Sequence, residues 1–145
     1  MCRKRYIDDK ISEAVQSGQV EAVVNLGAGY DTRAYKLPAL TRVQVFELDQ
    51  PGSIDQKRSR LEKLFGKVPS HVTLVPIDFD REEPGTALIS HDYKADTKTF
   101  FIWEGVTQYL TEAGIRSTFD FLARAAVGSR LAFTYVRKDY LKSSS

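Results

Sequence analysis

Four acidic residues and two glycines fall where they could hold a nucleotide-like ligand. Gly27 and Gly29 close the apolar run that begins at Val23 and Val24. Glu47 and Asp49 follow Gly27 by 20 and 22 residues, the distance at which a carboxylate reaches the two ribose hydroxyls of an adenosine. Asp78 ends a third apolar run and Glu104 a fourth. Lacking a Cβ, a glycine can take positive φ and let a ligand approach the backbone closely. Carboxylates accept hydrogen bonds from hydroxyls and amines and attract cations.

The glycine pair alone is weak evidence, and its surroundings narrow the ligand. A dinucleotide fingerprint needs a third glycine to bring a pyrophosphate onto a helix N-terminus. Thr32 stands there instead, preceded by Asp31, whose charge would repel a pyrophosphate. S-adenosyl-L-methionine carries a sulfonium and an ammonium group and no phosphate, so acidic residues suit it better than they suit NAD. Only one of Glu47 and Asp49 is expected to face the ligand, on the argument that strand positions alternate in direction. Asp49, last before the turn, is the choice, and Glu47 is left for solvent or a salt bridge. Asp78 and Phe79 would bracket an adenine, with a core position as the alternative for Phe79. Glu104 would pair with the ammonium group, with helix capping as its alternative. Phe101, Trp103 and Tyr109 read as packing, and His71 and His91 as surface residues without a metal partner at usable spacing.

The elements that must position these residues follow from apolar periodicity. Ile7, Ile11, Ala14 and Val15 have helical spacing, predicting a helix over 6–18 that stops at Gly18. Strands are expected over 22–26, 43–48, 72–77, 99–103 and 131–136, the fourth a continuous apolar run suited to the centre of a parallel sheet. A short helical turn from Thr32 ends before Pro38. A helix opened by Pro51 is expected to bury Ile54, Leu61, Leu64 and Phe65 and to stop at Gly66, leaving Lys57, Arg58, Arg60 and Lys63 as its wet face. One short helix is expected within 80–96. A last helix is capped by Thr111, carries its inner stripe on Ile115, Phe119, Leu122 and Ala126, and ends at Gly128.

Strands spaced by the length of a βαβ unit, with right-handed crossovers, predict a doubly wound parallel α/β sheet with helices on both faces. Its ligand crevice would lie at the carboxyl ends of the strands, which here carry Gly27, Gly29, Asp49, Asp78 and Glu104. The 145 residues suffice for one domain, with its core over 20–141. A net charge of +2 without a long basic stripe does not indicate nucleic-acid binding. Cys2 is the only cysteine, which excludes an intrachain disulfide and a cysteine-based zinc cluster and makes a reducing, cytoplasmic location the default. No apolar stretch is long enough for a membrane span, and no secretory signal is expected.

With these residues placed, the sequence resembles the leucine carboxyl methyltransferase family, in its bacterial-type S-adenosylmethionine-dependent O-methyltransferase branch. The matching segments are RKRYIDD over 3–9, LGAGYDTRAYKL over 26–37, FELDQP over 46–51, DF over 78–79, WEGV over 103–106 and YLT over 109–111. The resemblance implies the Rossmann-like fold of class I methyltransferases, five strands in the order 3-2-1-4-5, without the C-terminal antiparallel hairpin. It implies that Arg3 holds the donor's carboxylate, Gly27 lines its methionine part, Asp49 binds the ribose, Asp78 and Phe79 the adenine, and Glu104 the amino end. Family members are longer, with a helical segment before the Arg3 motif and further strands and a lid after the fifth strand, so this sequence would hold mainly the donor half-site.

The expected reaction is methyl transfer to a carboxylate or hydroxyl of a small molecule or protein. Alignment of the reactants can supply about 7 to 11 kcal/mol, so no dedicated nucleophile or metal is required and no catalytic residue is assigned. Two other readings stay open: a module that binds S-adenosylmethionine or a partner without turnover, and an NAD-dependent oxidoreductase. An apolar fifth strand at the sheet edge could also recruit a second chain.

Overall fold

The computed structural model describes residues 3–27, 31–103, 111–125 and 129–133, with residues 3–5, 132 and 133 described by their backbone only. In chain order the elements are α1 (Arg3–Gln16), β1 (Ala22–Leu26), α2 (Arg33–Lys36), a 3₁₀ turn (Pro38–Arg42), β2 (Gln44–Asp49), α3 (Pro51–Phe65), β3 (Val72–Pro76), α4 (Pro84–Ile89), β4 (Thr99–Trp103), α5 (Glu112–Ala123) and β5 (Arg130–Phe133). The five strands are all parallel and lie in the order β3-β2-β1-β4-β5, as expected. Strand order reverses between β1 and β4, so the chain leaves the sheet in opposite directions there and opens a crevice above the strand tips.

Parity along the strands divides the core in two. Val23, Val45, Leu74, Phe100 and Ile102 face α1, the 3₁₀ turn and α3, whereas Val24, Leu26, Leu48, Val75, Phe101 and Trp103 face α4 and α5. Ile7, Ile11, Ala14 and Val15 are all buried, so the predicted stripe of α1 is its packed face. The helix starts at Arg3, earlier than its apolar stripe, because Arg and Lys are good helix formers that need no core contact. Gly18 and Gly66 end α1 and α3 at φ +77° and +81°, the left-handed geometry that favours glycine. No helix among the described residues is long and apolar enough to cross a membrane.

Two helix faces differ from the periodicity. In α3 the buried positions are Ile54, Lys57 and Leu61, while Leu64 is 73% and Phe65 53% exposed. The last turn of α3 faces the Tyr35 ring across an open cavity of about 270 Å³ instead of packing on the sheet. In α5 the fully buried positions are Gly114, Thr118 and Phe121, while Ile115 and Leu122 of the expected stripe are partly buried against the same core. Small residues at 114 and 118 let that helix sit close to the chain after β3: a Cβ at Gly114 would come within 2.6 Å of Asp80 Oδ1 and 3.1 Å of the Phe79 carbonyl. Phe119 is turned outward, 43% exposed, with its ring edge on Trp103 at 4.9 Å between centroids. Ala126, Gly128 and the stretch 134–136 expected in the fifth strand lie outside the described residues.

Candidate functional site

The strand register brings the chemistry-bearing residues to one rim. Val75, Leu48, Leu26 and Trp103 form one row across the sheet, and Phe133 extends it. The next row toward the carboxyl ends holds Gly27, whose N–H donates to the Leu48 carbonyl at 2.8 Å, and Asp49, which is paired with Pro76. The Ile77 N–H then donates to the Asp49 carbonyl at 2.8 Å, which carries Asp78 just past the same rim. Gly27 has φ +82°, and a Cβ there would meet nothing within 4 Å. Glycine is required at this turn by conformation, and the space beside it is open.

Asp49 is half-buried at the tip of β2, with Oδ1 accepting from the Gln50 N–H at 2.7 Å. Asp78 is half-exposed and caps its own turn, accepting from the Asp80 N–H at 3.0 Å. Phe79 is 7% exposed in the core with Leu88, Trp103 and Phe121, the core position expected as its alternative. Arg3 begins α1, and its side chain lies outside the described residues, as do Gly29, Glu104 and Tyr109.

Glu47 requires a correction. Residues 47 and 49 are two apart on one strand and project to the same face, so alternation does not separate them. Depth does. Glu47 is 1% exposed beneath α3, where Oε2 pairs with Lys57 Nζ at 3.0 Å and Oε1 accepts from the Tyr35 hydroxyl. Of the two alternatives expected for it, the salt bridge holds and solvent does not. Lys57 is likewise no part of a wet face: it is buried, donates to the Asp31 carbonyl at 2.9 Å and lies over the Tyr35 ring at 5.4 Å. Burial pushes the Glu47 carboxyl above its ordinary value, against the opposing pull of the Lys57 charge and of its hydrogen bonds. Burial, then the neighbouring Glu47 charge, pushes the Tyr35 phenol far above its ordinary value, so it remains a donor.

Asp31 has partners within the fold. Its Oδ2 accepts from Asn25 Nδ2 at 2.7 Å and from Arg33 Nη1 at 2.6 Å, and its Oδ1 from the Arg33 N–H at 2.8 Å. Arg33, 3% exposed, reaches on to Asp8 of α1. Held by Asn25 and Arg33, Asp31 is an anchored part of the fold as well as a charge beside the glycine turn. These partners are distant in sequence or hidden inside a motif. The signal for them is the charge density of the 3–9 and 26–37 segments.

Across the crevice, Asp80 Oδ1 accepts from the Thr111 hydroxyl at 2.7 Å and the Thr111 N–H at 3.1 Å, tying the chain after β3 to the start of α5. These bonds hold the Asp80 carboxyl below its ordinary value. A depressed folded value means that the tie is present above the ordinary carboxylate range and is lost as pH falls through the folded value. Acidification from pH 6 toward 2 is therefore expected to speed exchange of the Thr111 amide before that of β4 amides, once intrinsic acid effects on exchange are removed. Parallel loss at both places would refute this. His71 and His91 are partly exposed, with ring nitrogens 2.8 Å and 2.9 Å from the carbonyls of Ala34 and Ala87. No cluster of His, Cys, Asp or Glu among the described residues could hold a metal ion.

Comparison with known proteins follows the same outline. The leucine carboxyl methyltransferase family model matches residues 1–123. A Mycobacterium avium protein, provisionally named an S-adenosyl-L-methionine-dependent methyltransferase, is 35% identical over 136 residues, covering 93% of this chain and 45% of the relative. A Bacillus subtilis protein with the same provisional name is 31% identical over 137 residues, covering 93% and 44%. The chain thus spans about half the length of the curated relatives it matches. Among solved structures, a DUF574 family protein from Streptomyces avermitilis superposes with a TM-score of 0.65 at 13% identity, covering 90% of this chain and 52% of that one. The glycopeptide N-methyltransferase MtfA in complex with sinefungin, an S-adenosylmethionine analogue, superposes with a TM-score of 0.56 at 18% identity, covering 86% and 47%. At such identities the superpositions establish the shared fold alone.

Proposed function

Since the chain belongs to the leucine carboxyl methyltransferase family, we propose that it carries the donor-binding half of an S-adenosyl-L-methionine-dependent methyltransferase that methylates oxygen. The observation that supports this most is the shared rim of Gly27, Asp49 and Asp78, an open glycine turn flanked by carboxylates at the point where strand order reverses. The residues fit the donor. A carboxylate at the tip of β2 suits two vicinal hydroxyls, Asp78 suits an exocyclic amine, and acidic groups suit a cation. By the family pattern Arg3 takes the donor's carboxylate, Gly27 lines its methionine part, and Glu104 takes its ammonium group, with Gly29 in the same donor-binding turn.

When bound, the donor supplies an electrophilic methyl group, whose bond to sulfur breaks as its bond to the acceptor oxygen forms. The protein's contribution is placement. Holding donor and acceptor in line can supply about 7 to 11 kcal/mol without a protein nucleophile. A carboxylate acceptor, of a small molecule or a protein, needs no general base, and a hydroxyl acceptor would need one. The single cysteine suits a reaction in the reducing cytoplasm.

Calorimetric titration of the 145-residue chain with S-adenosylhomocysteine and, separately, with NAD tests the donor assignment. Binding of the first and not of the second is expected, and the reverse result would end this reading. Transfer of a radiolabelled methyl group to candidate carboxylates then separates an enzyme from a module that binds the donor without turnover.

A further inference from the structure

The crevice needs the chain on both sides of residues 28–30 to be fixed, since these lie between the open turn at Gly27 and the anchored Asp31. Gly27 is tied to β2 through the Leu48 carbonyl. Asp31 is tied by its side chain to Asn25 of β1 and to Arg33, and by its backbone carbonyl to Lys57. The carbonyl contact is the one that reaches across from another layer of the fold. Its donor is a lysine 5% exposed on α3, whose ammonium sits between that carbonyl and the carboxylate of Glu47, itself 1% exposed.

Burying such a pair is costly, and hydrophobic residues of similar size are often as stable or more so. A leucine at 57 and one at 47 would continue the apolar stripe of α3 and the apolar face of β2. The pair therefore calls for a role other than stability. Lys57 makes contacts that no apolar residue can make, among them those to Glu47 and Asp31, and the Tyr35 hydroxyl satisfies the other oxygen of Glu47 and so fixes the carboxylate's orientation.

We propose that Lys57, aimed by Glu47 and Tyr35, is a positioning residue that holds the Asp31 carbonyl and thereby fixes the chain at Asp31, just beyond the open turn at Gly27 that faces the methyl donor. The inference rests on the donor reading of the rim, but its mechanical part stands apart from it. Lys57 does not touch the donor. It fixes the chain at Asp31, four residues after Gly27.

The test uses the double variant Glu47→Gln, Lys57→Met, which removes both charges together so that neither is left buried alone. Tyr35→Phe, which deletes only the phenol's hydrogen bond, is the milder companion. At a temperature where circular dichroism shows each variant folded, two quantities are measured: affinity for S-adenosylhomocysteine and amide hydrogen exchange over residues 27–33. The double variant is expected to bind about tenfold more weakly, the size of one lost hydrogen bond to a charged group. Exchange over 27–33 should quicken while that of β4 stays unchanged, and Tyr35→Phe should shift both quantities in the same direction by less. Unaltered affinity and exchange would overturn the proposal even if the melting temperature had fallen, because lost stability alone is what a merely structural pair would give. Should the double variant fail to fold, the same two readouts on Tyr35→Phe decide. Should the unaltered chain fail to bind S-adenosylhomocysteine, the donor reading falls, and exchange over 27–33 still decides whether Lys57 positions the segment.

Discussion

Replacing Arg33 with methionine is expected to destabilise the chain by about 3 to 5 kcal/mol, the cost of breaking a buried ion pair and leaving its partners uncompensated. Arg33 is 3% exposed and serves two carboxylates at once, Asp8 on α1 and Asp31 beyond the glycine turn, whose side chains are 23% and 12% exposed. Both carboxylates would lose the guanidinium that now meets them. A domain of this size has only about 5 to 15 kcal/mol of stability in total, so a fall in melting temperature on the order of 10 °C should be visible. Arg33→Lys should recover little, since one ammonium cannot reproduce the forked contacts to two carboxylates. A loss below about 1 kcal/mol in urea unfolding would show that the triad is worth no more than a surface pair and would remove the argument that it braces α1 against the donor loop.

The second large effect falls on binding. Asp49→Ala is expected to weaken S-adenosylhomocysteine by about 1 to 3 kcal/mol, or roughly 5- to 150-fold, through lost hydrogen bonds between a carboxylate and the ribose hydroxyls. The variant should stay folded, because the side chain sits half-buried at a strand tip rather than in the core. Affinity is read by calorimetry beside a thermal melt. Equal affinity in the variant would take the ribose role from Asp49, and it could not pass to Glu47, which is sealed under α3 by Lys57 and Tyr35.

The order of the strands and the placement of Asp49 follow from features that are local in sequence. Apolar runs of strand length, spaced by a helix each, leave few topologies once crossovers must be right-handed, and a turn at Gly27 must then meet the tip of the second strand. Asp8, Asp31, Arg33, Glu47 and Lys57 were not legible in the same way. A charged residue in a helix or strand has the same local appearance whether it meets water or a partner. Lys57 stands among Arg58, Arg60 and Lys63 and differs from them only because it falls on the stripe of Ile54 and Leu61, a place that an apolar pattern count passes over.

The amino-acid sequence by itself determined the family, the doubly wound sheet and the rim on which Gly27, Asp49 and Asp78 lie, because periodicity and turn chemistry act over a few residues and leave a repeating trace. Only the tertiary structure decided which charges are spent inside the fold. An ion pair such as Glu47 with Lys57, or the bridge from Asp8 through Arg33 to Asp31, depends on how layers close over one another, and burial is what turns an ordinary surface charge into a fixed structural contact.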